Sequence, residues 1–392
     1  MVDFLFYILV IIFEFINNSA NFWLPVVLVY VFWKVWIAYI QADWISKLKW
    51  ILLEVRLPKE VFKTPMAMEL VLNGLQQPSS GNKLDQYWKG RVPDWFSFEI
   101  VSVEGSIRVY IRCLSKYKNI IEAHVYSQYP EAIISEASDY TENMPWDNKS
   151  EISLWGSEFA LTQPDPYPIK TYVDYGMDKG YVDEKQRIET MAPTLEFLGS
   201  MGKGEQTWIQ ILVRATRGEG WKAEGKELIK KLMHRDDKDD DKAVTTRLTK
   251  GETDVINAIE RSISKPAFEV GIRGLYFAEK GKFNPANITA LLSTFKQYSS
   301  HNMNGFKPGY GLTVLDYPWD DFRDIRKKTI LKSLFDSYRL RAYFYEPYKR
   351  KPFVLNVEEL ATIFHFPSGV AETPTLARVD SKRSEPPANL PF

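Results

Sequence analysis

A chain of 392 residues that is 45% apolar and 26% charged can build two or three packed domains and does not have the composition of a disordered protein. Fifty basic against fifty acidic side chains sum to zero formal charge, which excludes a histone-like polycation and a polyacidic tail. The single cysteine, Cys113, excludes an intrachain disulfide and a cysteine-built zinc site, and points to a reducing compartment.

Aromatic residues gather near the start of the chain. From Phe22 to Ile40 the sequence FWLPVVLVYVFWKVWIAYI is interrupted only by Pro25 and Lys34, the length a helix needs to cross about 30 Å of hydrocarbon. Trp23 marks one end, and Trp33, Trp36 and Tyr39 the other, as expected of rings at the headgroup level, while Lys34 can snorkel. Residues 1–43 are therefore expected to be a membrane anchor held by lipid. The shorter run Phe4 to Phe13 reads as a half-inserted helix or the first arm of a hairpin. Lys47, Lys49, Arg56, Lys59 and Lys63 follow the main span and only acidic side chains precede it, so everything after residue 41 is expected in the cytoplasm, beneath the cell membrane.

In residues 44–84, Ile45, Leu48, Leu52 and Val55 share a helical face, predicting an amphipathic helix along the membrane surface, followed by a turn-rich break at Gln76 to Lys83. Residues 85–206 are expected to form a first α+β domain. Phe96, Phe98 and Ile100 alternate with polar residues, Glu104-Gly105 turns the chain, and Ile107, Val109 and Ile111 alternate again, which is a hairpin pattern. A helix over Lys116–Tyr129 and a strand over Ala132–Glu136 follow, an order that belongs to a ferredoxin-like split sheet. A second such domain is expected over 207–310, with strands at Thr207–Ala215 and Ala267–Phe277, a helix at Thr253–Ser264, and another started by Asn284-Pro285. The predicted fold class is thus α+β, a transmembrane helix followed by tandem ferredoxin-like split βαβ sheets.

Enzyme signatures are weak. The histidines at 124, 234, 301 and 365 lack metal-ligand spacing, and there is no Gly-x-Ser-x-Gly elbow. Gly220-Trp-Lys-Ala-Glu-Gly225-Lys226-Glu227 resembles a phosphate-binding loop, but Glu227 stands where Ser or Thr would hold magnesium and Glu224 would repel phosphate. The acidic tract Asp236–Lys242 lacks the glycine and distal glutamate of a calcium loop. No cofactor, metal or catalytic residue is expected.

A basic segment is expected to be helical over residues 311–366. Ten basic and three acidic side chains lie between Arg323 and Lys351, including Arg323, Arg326, Lys327, Lys328, Arg339, Arg341, Lys349 and Arg350, with Tyr343 and Tyr345 among the interleaved rings. Such a stripe suits single-stranded nucleic acid, an anionic lipid surface, or an acidic protein surface such as residues 130–190 of this chain.

The segments LLEVRLPKEVFKTPMAMELVLNGL (52–75), FSFEIVSVEGSIRVYIR (96–112), IEAHVYSQYPEAII (121–134) and FVLNVEELATIFHFPSGVAETPTLARVDSKRSEPPANLPF (353–392) resemble uncharacterised bacterial membrane proteins associated with type IV secretion or conjugation. The closing stretch, with Glu358, Glu359, Leu360, His365, Pro367, Thr373, Pro374, Pro386 and Pro387, is similar to the region preceding the motor core of coupling-protein and HerA-like DNA-pumping ATPases. The sequence stops at Phe392, about where that core would begin. The resemblance implies a non-enzymatic scaffold subunit of a secretion or DNA-translocation machine, whose tail (367–392) docks a separate ATPase. A homo-oligomer is a further expected partner. The alternative is a membrane-tethered nucleic-acid-binding module using the 323–351 stripe on DNA.

Overall fold

The computed structural model describes residues 2–58, 63–77, 81–144, 146–147, 150–178, 189–233, 248–311, 319, 321–366 and 378–379, with the side chains of the first helix described from Ser19 onward. The chain divides into two compact units, Met1–Leu48 with Ser80–Val92, and Lys49–Ser79 with Pro93–Phe392.

The first unit is built on α1 (Val2–Ser46), a single helix that contains Pro25. The run at Phe4–Phe13 continues into the main span without a break, so it is no separate hairpin arm. Apolar side chains from Phe22 (81% exposed) to Val35 face outward. A short turn of chain packs on the later part of α1. There Trp36 donates its indole N–H to the Tyr87 carbonyl at 3.4 Å, and the rings of Trp33 and Tyr87 lie 6.0 Å apart. Gly90, at φ +69°, sits where a Cβ would meet the Ile40 carbonyl oxygen at 2.2 Å, so only glycine allows this approach.

The second unit contains, in chain order, β1 (Trp50–Pro58), α2 (Pro65–Leu75), then, after α3 (Lys83–Tyr87) of the first unit, β2 (Trp95–Val103), β3 (Ser106–Leu114), α4 (Lys118–Gln128) and β4 (Ile133–Ala137). It continues with β5 (Ser153–Leu161), α5 (Ala192–Gly199), β6 (Glu205–Ala215), α6 (Gly220–Leu232), α7 (Lys250–Ser264), β7 (Ala267–Ala278), α8 (Pro285–Ser293) and β8 (Phe306–Gly311). The remaining elements are α9 (Ile325–Leu340), β9 (Phe353–Asn356), α10 (Val357–Ile363) and the two-residue β10 (Arg378–Val379).

One sheet joins all of these strands, in the order β10-β1-β3-β2-β6-β7-β5-β8, with β4 also on β1 and β9 also on β7. In the first half β3 is antiparallel to both β1 and β2, so those two run the same way, and β4 is antiparallel to β1 on its far side. The second half repeats the connectivity. Here β7 is antiparallel to both β5 and β6, and β8 lies antiparallel beyond β5. Corresponding strands β2 and β6 pair antiparallel along nine residues, with Glu99 opposite Gln210 at the midpoint. A local two-fold relation therefore passes through the seam.

Two expectations change. The predicted surface helix over Trp44–Val55 is instead the end of α1 and most of β1. With β3 on one side and β4 on the other, Leu52, Leu53, Glu54 and Val55 are all buried, an environment that rewards extended β-branched and aliphatic residues over a solvated helix. The expected boundary at 206/207 falls inside β6, a central strand, so the two α+β domains share one sheet rather than standing apart.

The two faces differ in chemistry. On one, Leu53, Ile111, Phe98, Ile211, Ile272 and Phe159 form an apolar row across six strands. Helices cover it: Ser102 of β2 donates to the Leu198 carbonyl of α5 at 2.6 Å, Leu291 of α8 closes over Gly274, and the Phe98 ring meets Phe364 beyond α10 at 4.8 Å. All seven residues of α10 are buried. On the opposite face α9 and the chain after it cover the seam. Gly271 there leaves room for the Tyr343 ring, whose atoms lie 2.4–2.5 Å from where a Cβ would stand. Gly271→Ala should overpack this contact and cost about 1–3 kcal/mol, read as a lowered melting temperature of the full-length protein in detergent. An unchanged melting temperature would show that Tyr343 moves aside freely.

Candidate functional site

Among the described residues, a cluster of buried charge lies in the sheet centre, on the face under α9. Register places Glu54, Tyr110, Glu99, Gln210, Arg273 and Glu158 side by side on β1, β3, β2, β6, β7 and β5, one polar rung across six strands. Gln210 bridges the seam, giving its amide N–H to Glu99 at 2.8 Å and accepting from Arg273 Nε at 2.7 Å. Arg341, at φ +50° just past α9, lays its guanidinium on the two Glu99 oxygens at 3.0 and 3.1 Å, and also binds Asp139. Tyr140 donates to Glu99 at 2.7 Å and its hydroxyl lies 2.8 Å from that of Tyr338.

Arg273 serves the end of α9 differently. Its Nη2 donates to the Ser337 and Ala342 carbonyls at 2.9 and 3.2 Å, supplying donors to acceptors that a helix C-terminus leaves unpaired. Burial would raise the Glu99 carboxyl, but Arg341, Ser97 and Tyr140 more than offset this and hold it below the ordinary value. Burial likewise opposes, and Arg341 outweighs it at, Asp139, which is also lowered. Burial pushes Arg273 down to about 10, still charged at neutral pH.

Beside the seam a cavity of about 280 Å³ is walled by Val101, Arg108, Tyr110, Tyr140, Gln206 and Trp208. Its rings are committed to one another, Tyr140 stacking on Tyr110 at 5.1 Å and meeting Trp208 edge-on at 5.0 Å.

This network takes up much of the predicted stripe. Arg341 was expected on an exposed basic surface and is instead fully buried, because its charge neutralises a carboxylate in the sheet centre. Tyr343 is buried against Gly271, and the Tyr345 hydroxyl accepts from Arg214 at 2.9 Å, so neither ring is presented for base stacking. Arg350 lies 3.4 Å from Glu158 and over the Tyr310 ring at 4.4 Å. Arg326, Lys327, Lys328, Arg339 and Lys349 are exposed, while the Arg323 side chain is outside the described residues. The segment 311–366 is not all helix. It includes β9, paired with β7, and the buried α10.

The other sequence candidates are placed as follows. His365 is buried, with Nε2 2.5 Å from Glu189 and Nδ1 2.9 Å from the Ala361 carbonyl, and so is not a docking surface. Pro367, Thr373, Pro374, Pro386 and Pro387 lie outside the described residues, as does the acidic tract 236–242. Gly220–Glu227 forms the first turns of α6 rather than a loop, and Gly225 is small because Ile263 of α7 would stand 2.6 Å from its Cβ. Glu358, fully buried, is held by Arg261 at 3.3 Å and Lys265 at 2.9 Å, while Glu359 accepts the Ile169 and Asn356 N–H groups, each at 2.9 Å. The described residues hold no group of three or more His, Cys, Asp or Glu side chains suited to a metal ion.

Together these features define an α+β protein with a large, mainly antiparallel sheet and, among its described residues, one helix (Ser19–Ser46) long and apolar enough to cross a membrane. Residues 41–379 match the family described as a domain of unknown function, DUF8128, and the chain belongs to that family. No curated protein matches it.

Arg341→Met should cost about 3–5 kcal/mol, since it strands the buried Glu99 charge, and Glu99→Met in the same chain should recover part of that loss. Because the Glu99 and Asp139 values are lowered on folding, their stabilisation is present above the unfolded carboxylate range, roughly pH 4, and is lost as pH falls through the folded values. Acid unfolding monitored by circular dichroism should therefore be less steep in the Met-Met variant below about pH 4 than in the wild type. Parallel acid limbs would remove Glu99 from the account.

Proposed function

We propose that this protein is a membrane-anchored, cytoplasm-facing subunit that works by binding rather than by catalysis. The observation that carries the reading is α1, whose apolar side chains from Phe22 to Val35 face outward in a helix of sufficient length to span a bilayer. A core helix of a water-soluble fold would bury that surface. The lysines and arginines that follow the span, Lys47, Lys49, Arg56 and Lys63, favour the cytoplasmic side for the sheet.

The reading extends to architecture. Each half has the strand order and directions of a ferredoxin-like split βαβ unit, with α2 and α4 in the first half and α5 and α8 in the second, so we read the sheet as two such units fused along β2 and β6. Its interior ionic groups support a scaffold role, since Glu99, Arg341, Arg273 and Glu358 all spend their bonding capacity on holding elements together. In this proposal the partner is a separate ATPase of a secretion or DNA-translocation machine, bound through residues 367–392. That part rests on the resemblance of the closing segment. Nucleic acid is less favoured as partner, because Arg341, Tyr343 and Tyr345 are used inside the fold.

The natural thiol assists a topology test. Cys113 is buried and its thiol is pushed up to about 12 by burial, so it should stay silent to maleimide in the folded protein. A single cysteine replacing the exposed Lys47 should be protected from an impermeant maleimide in intact cells and labelled once they are permeabilised, with the protein resisting alkaline carbonate extraction. Labelling in intact cells reverses the orientation, and release by carbonate removes the anchor. For the partner, full-length protein and a chain ending at Phe366 should be purified from native membranes; equal recovery of a large ATPase with both, or with neither, counts against docking by the tail. A fragment beginning at residue 85 would be unsuitable because it lacks β1, the strand between β3 and β4.

A further inference from the structure

We propose that the outward face of α9 is a docking surface for an anionic lipid bilayer, a second membrane contact independent of whether α1 spans. The helix is 16 residues long, so its face extends about 24 Å. Leu331, Leu334, Phe335, Ser337 and Tyr338 are buried. The exposed side carries Ile325, Thr329, Lys332 and Leu340 with the half-buried Asp336 among them, and the exposed Lys328 and Arg339 run along its flank beside the buried Phe335. Three cations thus run along one edge of the exposed side, with an apolar residue near each end of the helix. Phe322 (66% exposed) and Trp319 (79% exposed) add rings just before the helix, beside exposed Arg326 and Lys327.

The orientation of this stripe is fixed from below. Both Asp321 carboxylate oxygens accept backbone N–H groups at the start of the helix, from Arg326 at 2.8 Å and Lys327 at 2.7 Å. At the other end Arg273 holds the Ser337 and Ala342 carbonyls. A helix clamped at both ends presents its outer face with little further loss of conformational freedom on binding.

The chemistry of that face selects among anionic partners. Lys328, Lys332 and Arg339 suit any phosphate surface, and with Arg326 and Lys327 the stretch 324–340 has five basic side chains against Asp324 and the half-buried Asp336, an excess of three. Ile325, Leu340 and Phe322 need an apolar environment, which the acyl boundary of a bilayer offers and a phosphate backbone does not. Of the rings that stacking on bases could use, Tyr338, Tyr343 and Phe344 are buried, and the exposed Trp319 and Phe322 precede the helix rather than interleave with its cations. Lysine and arginine stems can lie along the acyl boundary while their charged ends reach the headgroups.

The test uses the full chain carrying Phe322→Cys, labelled with an environment-sensitive fluorophore, with buried Cys113 as a silent background. It is reconstituted into nanodiscs of phosphatidylcholine alone or mixed with phosphatidylglycerol. The emission should shift to the blue only in the anionic discs, should return on addition of salt, and should not shift when Lys328, Lys332 and Arg339 are all changed to Glu. Should the chain stay outside the discs, co-sedimentation with vesicles of the same two compositions reads the α9 face directly, with affinity for the anionic ones falling on the order of a hundredfold in the triple variant. Equal emission in both discs, an anionic shift that survives the triple variant, or in the vesicle arm equal sedimentation with both compositions, overturns the proposal. A blue shift produced by an oligonucleotide in phosphatidylcholine discs, and not by phosphatidylglycerol, overturns it in favour of nucleic acid.

Discussion

The second unit depends on a carboxylate in the middle of its sheet. Glu99 lies on β2, among strands buried on both faces, where an isolated ionised group would be prohibitively costly. Arg341 neutralises it, Ser97, Tyr140 and Gln210 complete its hydrogen bonds, and Gln210 passes the network to Arg273. Since Glu99 and Gln210 belong to different halves, and Arg341 and Arg273 both hold the end of α9, one polar cluster ties both halves of the sheet and the helix above it. Apolar packing would hold these pieces together in many registers. A bidentate guanidinium contact has far fewer acceptable geometries, so its role here is to select one of them.

The elements most legible in the sequence were those with a single dominant period. The hairpin of β2 and β3 follows the alternation of Phe96, Phe98 and Ile100 with Ile107, Val109 and Ile111, and the turn at Glu104-Gly105 has positive φ at both residues. Helix α8 begins where Asn284 caps it, accepting the Ala286 N–H at 3.0 Å. β1 is ambiguous in the sequence because Ile45, Leu48, Leu52 and Val55 fit a helical stripe while Ile51, Leu53, Val55 and Leu57 fit an extended one. Only its two neighbouring strands, distant in sequence, decide between them. In the fully buried α10 the polar Glu358, Glu359 and Thr362 are as buried as the apolar residues, so no contrast between a core face and a solvent face marks it.

The misplacement of Arg341 has a different origin. Local charge density cannot distinguish a solvated arginine from one that reaches into a core, and the stripe from Arg323 to Lys351 contains both. The signal lay elsewhere, in Glu99 within FSFEIVSV and Arg273 within AFEVGIRGLYFA. A charge inside a mostly apolar central strand requires a buried counter-charge, so each points to a partner among distant basic or acidic residues.

The fusion of the halves along β2 and β6 also determines how the sheet meets other chains. Each half alone would expose a nine- or eleven-residue strand with unsatisfied backbone donors, a template for strand addition. Joined, these edges consume each other. Among the described residues the margins are β4, five residues long with Glu136 paired to Lys118, the two-residue β10, and β8, interrupted by Pro308, which has no N–H to offer, and by Gly309 and Gly311. None of these short or interrupted strands offers a long ladder to a foreign strand. Self-association by growth of the sheet is disfavoured, which leaves recognition to side chains displayed on helices and loops, where specificity can be changed without disturbing the ladder.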